Sequence, residues 1–355
     1  MLERVTLERR AGVGAALRAS AYAGAIVVAL ILSLGVLLWA GVPTGALFQE
    51  LVVQVFLAPA GLAQTVTMAI PMMLVGLSAL LCLRMKFWNI GIEGQVLLGG
   101  IFATAVAIHD IGGPLRLWVM LLASGLGGAL WIAAPLLLRV RLGVSEVIVT
   151  LLLSNIAFLL LQHLLFGAFR DPTFNFPSSS VFDSTERLAK LGFGSVHVGL
   201  FVALAAVAVI GFAIHRTPLG FAARFTGDNP VAARAQGFAT VRVMALSILA
   251  GGAMAGLAGG LVVAGTEFRL TQQIGLHATF NGIVIAALAR NEPLLVPLVS
   301  FLLAGLNVAS ASLKVFYGVS EGVVLVIQGI ILLTLVSSQF FTTYRIALSR
   351  GGIAA

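Results

Sequence analysis

Leu62 to Leu83 reads LAQTVTMAIPMMLVGLSALLCL, with no Asp, Glu, Lys or Arg to interrupt it. A helix needs about 20 apolar residues to cross a bilayer. The run reaches that length, and it lacks the period-two alternation of barrel strands. Nine further segments read the same way, near 21–41, 94–109, 115–138, 146–168, 197–215, 242–264, 278–290, 293–312 and 321–343. Hydrophobic residues make up 60% of the 355 and charged residues only 10%, against roughly 25% charged in a soluble domain. Lipid is therefore the solvent for most of the chain, and a backbone in lipid must satisfy its own hydrogen bonds. The expected fold is all-α, a polytopic membrane protein of about ten transmembrane helices.

Charge sets the orientation. The apolar stretch Tyr22–Trp39 exceeds a signal-peptide core of roughly 7–15 residues and reads as an uncleaved first span. With both termini inside, fifteen of the 21 Lys and Arg fall in inner segments, as the positive-inside rule requires. Residues 1–20 then form a cytoplasmic segment, 21–343 one transmembrane domain of the inner (plasma) membrane, and 344–355 a cytoplasmic tail. Two connections are long: an outer loop at 169–196 and a basic inner loop at 216–241. The basic excess is thereby topological, and no nucleic-acid partner is expected. Cys82 is the single cysteine, so no intrachain disulfide can form. Many of the 40 glycines lie inside spans, Gly125, Gly128, Gly252 and Gly256 among them, where small residues let helices approach closely.

Four stretches carry polar groups that the apolar pattern does not explain. In Phe87–Gln95 (FWNIGIEGQ), Asn89, Glu93 and Gln95 stand among apolar spans, with Trp88 as an aromatic neighbour. Gly91 and Gly94 weaken helical continuity, and a broken membrane helix is tolerated where protein or a water-filled cavity surrounds it. A cytoplasmic turn after Arg84 and Lys86, with Glu93 favoured by the dipole of the next helix, accounts for the string equally well. In Gly143–Asn155, Ser145 can cap a helix whose first turn holds Glu146. Deeper in that span, Thr150 and Asn155 are candidates for a solute pathway or for interhelical hydrogen bonds. Phe280-Asn281-Gly282 opens a short span and repeats the Asn-Gly break of the first stretch.

The fourth stretch lies in the inner loop. Asp228 or Asn229 as N-cap, Pro230 at the first position, Ala233 and Arg234 in the body and Gly237 as the stop spell a complete short helix. Two turns are marginal alone, so such a helix docks on a protein partner or lies on lipid headgroups.

No G-x-x-x-x-G-K-[ST] string occurs and the chain has only three lysines, so it has no P-loop for ATP. The five histidines show no ligand spacing, and no metal, cofactor or catalytic residue is expected. An enzyme is not the expected class. The leading class is an alternating-access permease driven by a partner that pushes on the 229–237 helix; its rival is an ion-coupled secondary transporter using Glu93 or Glu146, and a membrane scaffold is a third class.

The strings NIGIEGQ at 89–95, SEVIVTLLLSN at 145–155, GDNPVAARAQG at 227–237 and NGIVIAALAR at 281–290 resemble permease subunits of bacterial ABC importers. The resemblance is to the sugar, nucleoside and branched-chain amino acid branch, nearest to the nucleoside or simple-sugar type. It implies a type II importer fold with inverted repeat halves and a path between two permeases, a heterodimer in the nucleoside subgroup. It also implies a cytoplasmic ABC ATPase docking at Asn229–Gly237 and an external substrate-binding lipoprotein. Two departures stand out: Ser154-Asn155 replaces an expected Asn-Tyr type of pair, and Arg290-Asn291-Glu292 is unusually charged.

Overall fold

The computed structural model describes residues 4–9, 15–275 and 277–349. All ten apolar segments are helical, as α1 (Ala15–Trp39), α3 (Pro59–Arg84), α4 (Ile92–Ile108), α5 (Arg116–Leu142), α6 (Glu146–Phe166), α7 (Gly199–Arg216), α10 (Thr240–Val262), α11 (Ala278–Leu288), α12 (Val296–Tyr317) and α13 (Glu321–Thr343). Among the described residues six helices are long and apolar enough to cross a membrane, while Ile92–Ile108 and Ala278–Leu288 are shorter apolar helices.

Three features depart from the expected layout. The stretch expected to link the first two spans is helical: α2 (Thr44–Phe48) runs into a π-helix at Gln49–Leu57. Gln49, Glu50 and Gln54 hid it from an apolar count. In the loop expected on the inner side, α8 (Pro218–Asp228) precedes the expected short helix, α9 (Pro230–Ala235). Finally, the fold is not purely helical. A strand β1 (Arg4–Arg9) pairs antiparallel with β2 (Tyr344–Ser349), Arg4 opposite Ser349 and Arg9 opposite Tyr344. Val5 and Leu7, like Ile346 and Leu348, recur every second residue, a strand pattern too short to register beside the long apolar runs. Arg10 and Arg350, counted above as inner charges, lie outside the described residues.

The chain folds as two compact units. One joins the ends, residues through Gln54 with those from Leu306. There α1 packs on α13, and Leu37, Val42, Leu47, Leu313, Val319 and Ile327 close its core. Glu50 is buried in this unit and accepts a 2.6 Å hydrogen bond from Ser312 Oγ.

The second unit, Val55–Gly305, is built around α10, which packs on α3, α4 and α5. Glycine makes this possible. A Cβ on Gly256 would overlap the Ser124 carbonyl of α5, one on Gly99 would overlap Gly256, and one on Gly259 would overlap the Val96 carbonyl. Lipid offers no hydrophobic drive between helices, so such backbone-to-backbone approach supplies the packing energy. Helix α3 is buried nearly all round, with Leu74, Leu77 and Leu80 fully inaccessible, as expected of a helix apolar on every face. Leu152, Ile156 and Leu159 of α6 are exposed, and form a face for lipid or a partner.

A cavity at the start of a half-length helix

The turn between α3 and α4 folds back on itself. Lys86 adopts a left-handed φ of 52°, after which Asn89 reaches Gln95 through two reciprocal amide bonds. Asn89 Nδ2 donates to Gln95 Oε1 at 3.1 Å, and Gln95 Nε2 donates to Asn89 Oδ1 at 3.0 Å. Asn89 Oδ1 also accepts from the Gly91 N–H at 3.1 Å. Only 3% of Asn89 and 1% of Gln95 remain accessible, so their polar capacity is spent within the protein. Helix α6 clamps the same turn: Thr150 Oγ1 accepts from the Ile90 N–H, Ser154 Oγ from the Gly94 N–H, and Glu146 from the Trp88 N–H. Glu146 does sit in the first turn of α6 behind Ser145, but the Ser145 side chain makes no capping bond; the carboxylate is ion-paired with Arg139.

Helix α11 starts against this turn. Thr279 Oγ1 accepts from the Glu93 N–H at 3.0 Å and donates to the Ile90 carbonyl at 3.2 Å. Further along, a Cβ on Gly282 would stand 2.8 Å from the Val75 carbonyl of α3. With its 11 residues, α11 covers only part of a membrane's depth, and it is entered through His277, whose φ of 61° is left-handed. Discontinuous helices of this kind mark solute sites in transporters.

Beside that start lies a cavity of about 220 Å³, walled by α3, α4, α10 and the segment leading into α11. Met68, Met72 and Val75 line one side, while Thr67, Glu267, Gln273 and Asn281 supply polar groups. Pro71 in α3 also lines it. Lacking an N–H, this proline leaves the Thr67 carbonyl without its helical donor at the cavity wall. Among the described residues Glu267, Gln273 and Asn281 make no side-chain hydrogen bond to protein. Their capacity is open to a solute.

The outer loop expected at 169–196 is laced to the cavity's rim. Ser179, Phe182 and Leu188 donate backbone hydrogen bonds to Leu270, Phe268 and Ala264, respectively, and Ser195 Oγ lies 2.9 Å from Thr67 Oγ1. At the rim, α10 ends in a π-helical turn, Val263–Glu267. Against it sits His197, just ahead of α7 and 1% exposed, whose Nδ1 accepts from the Gly199 N–H at 3.2 Å. Burial pushes its imidazole down to about 4, from an ordinary value near 6.5. The folded form thus keeps His197 neutral while an unfolded chain protonates it, so this contribution is intact above about pH 6.5 and is lost as pH falls toward 4. Melting temperatures of the purified protein should fall over that window, and more steeply than those of His197→Gln; equal pH slopes would refute the assignment.

Of the eight residues singled out for a pathway, only Asn281 lines the cavity. Asn89, Gln95 and Thr150 hold the turn. Glu93 and Phe280 are half-buried, Trp88 is exposed, and Asn155 is exposed on α6 with its amide bonded to the Leu151 carbonyl. Sequence reasoning missed Thr67, Glu267 and Gln273. The polar run from Thr266 to Gln273 after a long span was a readable signal; Thr67, one hydroxyl within a span, carried none.

The short helix α9 follows its sequence signals closely. Asn229 Oδ1 accepts from the N–H groups of Val231 and Ala232 at 3.1 and 3.0 Å, Pro230 opens α9, and Gly237 turns left-handed at φ 83°. Ala233 is fully buried against the chain itself and Arg234 Nε donates to Thr240 Oγ1, whereas Val231 is 76% exposed. Phe221, Phe225 and Phe238 cluster beneath, with Phe221 exposed.

Residues 61–336 match the family described as branched-chain amino acid transport system / permease component. A glucose ABC transporter permease protein of Haloferax volcanii is 35% identical over 86% of this chain and 82% of its own length. A guanosine ABC transporter permease protein of Bacillus subtilis is 31% identical over 78% and 80%, and a nucleoside ABC transporter permease protein of Lactococcus lactis is 26% identical over 70% and 71%. The helices, the half-length α11 with its cavity and the capped α9 thus belong to a transport protein, and the chain is a member of the branched-chain amino acid transport system / permease component family.

Proposed function

We propose that this chain is one permease subunit of an ABC importer, forming with a second permease the path for a sugar or nucleoside. The observation that carries the reading is α9, a capped helix with an apolar residue, Val231, held out from the protein, in a chain whose sequence has no nucleotide-binding loop. Energy then enters from outside, through a cytoplasmic ABC ATPase seated on Asn229–Gly237. The relatives named for glucose, guanosine and nucleosides support the solute class. Two different guanosine permease proteins of Bacillus subtilis both resemble this chain, which supports pairing with an unlike partner.

The same reading includes ten spans across residues 21–343 in the inner membrane, inverted halves, and a lipoprotein that delivers solute from outside. Pairing of β1 with β2 brings both chain ends to one side, which favours an even number of crossings. The inner bias of Lys and Arg supports a cytoplasmic location for that side. Asn281 faces the solute, while Asn89, Gln95 and Thr150 shape the path by holding the turn. Of the two carboxylates named for the ion-coupled alternative, Glu93 and Glu146, Glu146 is already paired with Arg139, and the permease relatives support the ATP-driven reading over it.

Reconstituted with its ATPase, second permease and lipoprotein, the complex should take up sugar or nucleoside only with ATP hydrolysis. Val231→Asp should cut uptake roughly tenfold or more, as loss of a central apolar anchor does at other interfaces, and should weaken ATPase co-purification without lowering the melting temperature. Uptake that an ionophore abolishes while ATP is present, or that Val231→Asp leaves unchanged, would overturn the reading. Ala233, buried within the chain, is unsuitable as a probe of docking.

A further inference from the structure

We infer that Glu267 makes the cavity a subsite for an uncharged sugar ring, its carboxylate accepting hydrogen bonds from two adjacent ring hydroxyls. This rests on the importer reading above and narrows what the path recognises. Among the described residues Glu267 is the one charged residue lining the cavity. Its carboxylate has no ion pair among the described residues. Two basic residues come near it in sequence or space, and each is held by an aromatic ring: Arg269, two positions on, lies over the Phe174 ring at 4.9 Å, and Arg187 lies over the ring of the adjoining Phe268 at 5.0 Å.

A carboxylate only accepts hydrogen bonds, and its two oxygens can take two parallel donors. Adjacent hydroxyls on a sugar ring present that pair. The amides of Gln273 and Asn281 can each donate and accept, which suits further hydroxyls, while Met68 and Met72 offer an apolar wall to the ring's C–H face. An amino-acid carboxylate or a phosphate would instead meet Glu267 with no lining cation to offset it, and like charges brought together are strongly disfavoured. At about 220 Å³, the cavity falls below the roughly 300–1,000 Å³ of drug-sized pockets. It therefore suits a single ring. A hexose and the ribose of a nucleoside share this chemistry.

The test is ligand-observed saturation-transfer NMR on the full permease–ATPase complex in nanodiscs, without the binding lipoprotein, so that the permease's own selection is read. The probes are guanosine, glucose, and analogues lacking two adjacent hydroxyls, 2′,3′-dideoxyguanosine and 2,3-dideoxyglucose. Glu267→Gln should weaken binding of guanosine, glucose or both roughly tenfold to a hundredfold, the worth of hydrogen bonds to a charged acceptor. It should barely change binding of the matching dideoxy analogue. Which parent compound binds identifies the ring's source. Equal weakening of parent and analogue, or none in either, overturns the inference while leaving the importer reading intact. A wild-type complex that binds neither guanosine nor glucose also overturns the inference, and ATP-driven uptake by the reconstituted complex then decides the importer reading separately. Since Glu267 is exposed and has no ion pair, an unchanged melting temperature in Glu267→Gln verifies that folding is not the cause.

Discussion

Gly256→Ala should lower the melting temperature of the purified protein by roughly 10 °C and sharply reduce folded yield. A single methyl is a small change, but the space for it is absent. The added carbon would overlap the Ser124 carbonyl and stand 2.8 Å from the Gly128 nitrogen. Both obstacles are backbone, so neither can turn aside as a side chain would, and α10 must separate from α5. Overpacking typically costs about 1–3 kcal/mol, and displacement of a central helix belongs at or beyond that upper end. At roughly 2–4 °C per kcal/mol for a unit of about the size of Val55–Gly305, the shift follows. Gly125→Ala is the matched comparison. It lies on α5, with the nearest atom 3.7 Å from its added carbon, and alanine is the better helix former by about 1 kcal/mol. It should be neutral or mildly stabilising. Equal melting temperatures for the two variants would show that the α10–α5 contact is not the constraint.

The second large effect is expected at the α3–α4 turn. Asn89→Leu removes one half of a reciprocal amide pair and leaves Gln95, 1% exposed, without its partner. A stranded buried polar group costs about 1–3 kcal/mol. Asn89 also holds the Gly91 N–H, so the full loss should approach the upper figure. Combining Asn89→Leu with Gln95→Leu removes both buried amides, and the double variant should cost less than the sum of the singles. Strict additivity in thermal or denaturant unfolding would mean that the two amides do not act as a pair. Solute uptake should fall with either single variant, because Ile90 and Glu93 bond to Thr279 at the start of α11.

The same two residues show where sequence reading stops. Asn89 and Gln95 are conspicuous in an apolar chain, and conspicuousness suggested a pathway. Polar groups in a membrane have two uses, to meet a solute or to satisfy one another, and a one-dimensional string does not say which partner lies within 3 Å. Asn281 looked the same in sequence and faces the cavity. Glu267 and Gln273, which also line it, stand in a polar stretch that reads as an ordinary connection.

The sequence by itself determined the elements. Continuous apolar length located every expected helical segment, because in lipid the backbone has few other ways to satisfy its hydrogen bonds. The signals from Asn229 to Gly237 placed α9 within a residue or two, because capping is a local interaction between neighbours. The tertiary structure alone decided what those elements do together. It paired the chain ends as β1 and β2, seated glycine against backbone between α10 and α5, and spent Asn89 on Gln95. It also brought Thr67 to one cavity with Glu267 and Asn281, some 200 residues further along the chain. The physical reason is range. Propensity, capping and hydropathy act over a few residues, whereas a cavity's polarity depends on which side chains remain unpaired after distant helices have packed.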